Sequence, residues 1–117
     1  MITSIRYNNF EAAVVEEKRP VLLAHLNRYF EFEEQVEVLE SISEKYSETL
    51  KVCLISEDFI RMFSWMHGIK GAPTFIIFHE GKEIKRMLGK ADRKTLTAFM
   101  SQTLPYFQDD CLKRNTC

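Results

Sequence analysis

Cysteine is scarce in this chain and badly spaced for dithiol chemistry. Cys53, Cys111 and Cys117 include no Cys-x-x-Cys pair. An odd number of thiols fits a reducing, cytoplasmic setting better than a disulfide framework. Excess charge is missing as well: the formal net charge is -1, which leaves no electrostatic footprint for nucleic acid. No apolar run approaches the roughly 20 residues that cross a bilayer. The first ten residues lack a basic start followed by an apolar stretch, so neither a membrane span nor a signal peptide is expected. Low-complexity segments and internal repeats are absent. His25, His67 and His79 fall on separate predicted elements without metal-ligand spacing, so no zinc is expected. No other cofactor is implied.

What is present describes one globular core. A chain of 117 residues, 45% hydrophobic and 28% charged, suits a single domain of ordinary size. The expected domain covers residues 1–104, followed by a polar tail over 105–117.

The apolar pattern predicts the elements in order. Asn8 or Asn9 can cap a short helix with apolar Phe10, Ala13 and Val14. Val21–Leu26 is a continuous apolar run, as expected of a strand buried on both faces. Phe32, Val36, Leu39, Ile42 and Tyr46 form one stripe on a helix of about four turns. Glu31, Glu33 and Glu34 then occupy its first turn, where the helix dipole favours carboxylates. Lys51–Ile55 is a second buried strand. Ser56 or Asp58 begins a helix carrying Phe59, Met62, Phe63 and Met66, which Gly68 can end. Thr74–His79 and Glu83–Leu88 are strands joined by a tight turn at Glu80-Gly81-Lys82. Asp92 caps a closing helix with Leu96, Phe99 and Met100 on one face. Alternating elements that finish in a hairpin and a helix imply an α/β fold, a mixed sheet with helices on both faces.

Three local matches in this order resemble the thioredoxin family over residues 2–104. Pro20-Val-Leu-Leu-Ala-His is similar to its second strand, Gly71-Ala-Pro-Thr-Phe to its cis-proline loop, and Glu80-Gly-Lys-Glu-Ile to its terminal hairpin. The resemblance implies a thioredoxin-like fold, a central mixed sheet flanked by helices. It also makes the departures informative. Disulfide reduction needs a low-pKa thiolate near a helix N-terminus and a second thiol to resolve the mixed disulfide. The positions matching the family's cysteines hold Phe30 and Glu33. The buried aspartate below the site is Ala24, and its lysine partner is Leu54. Nucleophile, resolving thiol, acid and lysine are missing together.

The resemblance leaves a platform on which an extended peptide adds beside the cis-proline loop, much as a strand adds to a sheet edge. Ala72 and Pro73 would supply that edge, and Tyr29, Phe30 and Trp65 an aromatic surface. On periodicity alone Phe32 reads as core. Tyr29 and Phe30 read equally as surface or as filling for the site, and Trp65 as a packed residue off the main stripe. Cys53 reads as an inert buried thiol. Cys111 and Cys117, near Lys113 and Arg114, allow a redox switch or two exposed thiols in a frayed terminus. The basic residues from Lys82 to Lys94 read as a solvated face.

The leading expectation is a redox-inactive, cytoplasmic module that binds a protein or extended peptide partner, as a chaperone, adaptor or assembly factor. Its rival is an atypical thiol-disulfide oxidoreductase working through Cys111 and Cys117. A third class is a homodimer that buries the aromatic patch.

Overall fold

The structure is a computed structural model that describes residues 1–104. Cys111 and Cys117, and with them the proposed redox switch and the tail, lie outside the described residues. Five strands form one sheet: β1 (Thr3–Ile5), β2 (Val21–His25), β3 (Lys51–Ile55), β4 (Thr74–His79) and β5 (Lys82–Leu88). Their spatial order is β1-β3-β2-β4-β5. β1 and β2 lie parallel to β3, whereas β4 runs antiparallel to both β2 and β5. Among the described residues three α-helices pack on the sheet: α1 (Phe32–Lys45), α2 (Ile60–His67) and α3 (Arg93–Thr103).

β2 is buried along its whole length, as a continuous apolar run requires of a central strand. Side chains alternate across a strand, and the core divides accordingly. Leu22 and Ala24 join Leu39, Ile42, Phe75, Leu96 and Met100 in the layer of α1 and α3. Val21 and Leu23 join Ile55, Phe63, Ile76 and Phe78 in the layer of α2. Ala24 stands in register with Leu54 of β3.

The caps at Asp92 and Gly68 form as expected. Asp92 accepts the Thr95 N–H at 2.8 Å, and Gly68 ends α2 in the left-handed conformation at φ 62°. The β4–β5 turn places Glu80 at φ 53° and Gly81 at φ 79°, the geometry of a two-residue hairpin turn with the twist of the flanking strands.

Several local expectations need correction. Neither Asn8 nor Asn9 caps a helix through its side chain. The segment Glu11–Val15 is a single π turn without such a cap. Asn9 instead folds back on β1, its Oδ1 accepting the Arg6 N–H and its Nδ2 donating to the Ser4 carbonyl. Glu31 is not in the first turn of α1. It precedes the helix at φ 56°, a left-handed backbone. α2 begins only at Ile60, and neither Ser56 nor Asp58 caps it, because the Ser56 hydroxyl is spent on the Asp58 carboxylate.

The faces of the helices also differ from the apolar stripes. On α1, Gln35 and Ser43 are buried with Leu39 and Ile42, while Phe32 and Val36 are only partly covered. Gln35 earns its place by clasping Ala91 of the loop before α3. Its Nε2 donates to the Ala91 carbonyl at 2.8 Å, and its Oε1 accepts the Ala91 N–H at 3.2 Å. On α2, Met62 and Met66 face solvent. A two-turn helix buries one narrow edge, and Phe63 takes it.

Candidate functional site

β2 ends at His25, opposite Thr74 at the start of β4. The loop leaving β2 and the loop entering β4 are thereby set side by side. The β2–α1 loop is shaped by local bonds. Asn27 Oδ1 accepts the Tyr29 N–H at 2.7 Å, a turn that projects Tyr29 outward. Beyond it the left-handed Glu31 redirects the chain into α1, and its carboxylate meets Lys90 at 3.0 Å. Tyr29 is 86% exposed and Phe30 73%.

The Ala72–Pro73 peptide is cis. Two bonds brace that loop: Thr74 Oγ1 donates to the Gly71 carbonyl at 2.6 Å, and the Gly89 N–H donates to the Pro73 carbonyl at 2.8 Å. Between them Ala72 is exposed. Among the described residues its N–H and carbonyl make no hydrogen bond. An open groove of about 900 Å³ passes this loop, with His25, Arg28, Tyr29, Arg61, Trp65 and Ala72 on its wall. Trp65, from α2, is 84% exposed.

Of the residues singled out in the sequence, Tyr29, Trp65 and Ala72 therefore meet at one groove. Phe30 and Pro73 are not on its wall, although each adjoins a residue that is. Phe32, expected in the core, is half-buried and covered by Arg28, whose guanidinium carbon sits 4.4 Å from the ring centroid. Arg28, Arg61 and His25 were not singled out for this surface. The only hints were a histidine closing an apolar strand and an arginine just before two aromatic residues.

Among the described residues Cys53 is the one thiol. Phe30 and Glu33 stand exposed before and on the first turn of α1. Cys53 is fully buried in β3, and burial pushes its thiol up to about 12. A buried thiol of that kind is neither nucleophile nor ligand. No group of three His, Cys, Asp or Glu side chains is placed to hold a metal ion among the described residues. No helix there is long and apolar enough to cross a membrane.

The family model of thioredoxin matches residues 1–102. The chain belongs to the thioredoxin family. It is 25% identical over 97 residues to thioredoxin C-2 of Corynebacterium nephridii, a match covering 82% of this chain and 90% of that one. It is 26% identical over 98 residues to a thioredoxin of Acidithiobacillus ferridurans, covering 83% and 91%. With a thioredoxin of Porphyra purpurea it shares 28% identity over 65 residues, or 56% of this chain. In that match and in that to a thioredoxin of Pyropia yezoensis, the chain spans 61% of the relative's length. The five-stranded mixed sheet flanked by helices is the thioredoxin-like α/β fold.

Proposed function

We propose that this member of the thioredoxin family is a redox-inactive protein-binding module. It captures an extended segment of a partner at the Ala72–Pro73 surface. The observation that carries this reading is the free backbone of Ala72 beside exposed aromatic side chains. An N–H and a carbonyl left unpaired at an exposed loop can accept the main chain of an incoming strand. Tyr29 and Trp65 flank the same groove and offer apolar area worth roughly 25 cal/mol per Å² buried. Phe30 stands where the family's first cysteine would be, and it extends the surface instead of attacking a disulfide. Such a module serves as a chaperone, adaptor or assembly factor, depending on the segment it holds.

The test has a chemical arm and a binding arm. With dithiothreitol as electron donor, reduction of insulin disulfides should not exceed the uncatalysed background. Phe30→Asp should shift unfolding by no more than about 0.5 kcal/mol, as an exposed substitution does. The same change should weaken the retention of extended peptides by the immobilised protein, and Trp65→Ala, on the groove wall itself, should abolish it. Insulin turnover above background that disappears in a Cys111→Ser/Cys117→Ser variant would replace this reading with the thiol oxidoreductase. Unfolding of Phe30→Asp would mean that the residue serves the core.

A further inference from the structure

We propose that the groove selects one acidic side chain, Asp or Glu, at a single position of the bound segment, and that Arg28 receives it. The inference rests on the peptide-capture reading and adds a specificity to it.

Arg28 is anomalous among the partly sheltered arginines. Arg19 is held by Glu17 at 3.0 Å and Arg86 by Glu83 at 2.7 Å. No carboxylate approaches Arg28 within ion-pair distance among the described residues. Its Nη2 donates to the Ile55 carbonyl at 3.1 Å, and its guanidinium carbon sits over the Phe32 ring. Arg28 lines the groove and, beside it, a smaller hollow with Glu31, Glu33 and Glu34, and these contacts leave most of its fork unused. Its Nε is sheltered from solvent and has no acceptor. Taking a cation out of water without a counter-charge is costly, and a guanidinium fork matches a carboxylate by two parallel hydrogen bonds.

A second sheltered group points to the same ligand chemistry. His25 is 9% exposed and lies on the wall of the same groove. Its Nδ1 has no partner among the described residues. Burial lowers its pKa, which favours the neutral ring, and a neutral imidazole can carry its one proton on Nδ1. A group that only accepts hydrogen bonds would suit Arg28 and His25 alike. A carboxylate is such a group.

The remaining charges on the wall restrict the partner further. Glu57, Asp58 and Arg61 are all exposed there, and with Arg28 the two signs balance. The groove therefore has no net field to attract a polyacidic chain, and an acid placed beside Glu57 or Asp58 meets a carboxylate of its own sign. A through-running segment fits better than a free C-terminus, because the groove is open and does not close around an end.

The experiment uses random nonapeptides, acetylated and amidated so that no terminal charge remains, selected on the immobilised full chain. The expected result is apolar enrichment at neighbouring positions, with Asp or Glu enriched at least fivefold at one position only. Arg28→Gln should abolish the acidic preference and keep the apolar one, whereas Arg93→Gln, at an exposed arginine of α3 that is not on the groove wall, should keep both. Arg28→Lys, which retains the charge without the fork, should reduce the preference, and thermal unfolding of each variant checks that it is folded. Apolar enrichment without an acidic position overturns the inference and leaves peptide capture standing. So does an acidic preference that survives in Arg28→Gln or extends over every position. Absence of any enriched sequence overturns both.

Discussion

Ala24 shows how much one residue can settle. It is fully buried beside Leu54, its register partner on β3, in the pair of positions where the family keeps an aspartate and a lysine. An apolar pair is inexpensive to bury, but a lone carboxylate there would lack both water and a counter-charge. Ala24→Asp should therefore cost on the order of 3–5 kcal/mol, the penalty of an uncompensated buried charge. Adding Leu54→Lys should recover part of that loss, and a double-mutant cycle in urea would measure the coupling. An Ala24→Asp protein that unfolds at the wild-type urea concentration would contradict this account of the site's floor.

At the scale of elements, the Gln35 clasp ties α1 to the loop that launches α3. Both hydrogen-bonding groups of Ala91 are buried, and Gln35 satisfies both. Gln35→Ala would leave an N–H and a carbonyl without partners, at about 1–3 kcal/mol for each group. The expected signature is a lower denaturation midpoint together with faster hydrogen exchange at the Ala91 amide. A stability change under about 0.5 kcal/mol, the range of ordinary surface substitutions, would rule the clasp out as a structural tie. Gln35 was invisible in the sequence because a lone amide among Glu33, Glu34 and Glu37 reads as a wet face. Its value comes from a partner 56 positions away in the chain. Met62 and Met66 misled in the opposite direction, since apolar residues on a helix read as core until its short length leaves room for one edge.

Across the whole molecule, the order of strands and helices was legible because the central strands are unbroken apolar runs and the turns carry their own chemistry. The groove was less so. Loop residues such as Tyr29 and Phe30 follow no periodicity, so whether they point inward or outward depends on the Asn27 turn before them and the left-handed Glu31 after them. A charge cluster far from that groove governs how the fold meets acid. Glu17 bonds Arg19 through both oxygens and lies 3.5 Å from Lys51. The Arg19 hydrogen bond foremost holds its carboxyl down to about 2, from an ordinary 4.5. A carboxyl with a depressed folded-state pKa stabilises the native protein fully above about 4.5, and that contribution fades as pH falls towards 2. Wild type should therefore lose more stability than Glu17→Gln between those values. Urea midpoints measured across that range would test it, and parallel pH profiles would remove Glu17 from the account.

Trp65 is the single tryptophan of the chain, and it stands almost wholly in water. Indole emission shifts to longer wavelength in a polar, relaxing solvent, so the folded protein should already fluoresce like an unfolded one. Emission colour is then nearly blind to denaturation, which must be followed by circular dichroism. The same property makes the indole a reporter of occupancy: a segment lying across the groove would dry it and move its emission to the blue.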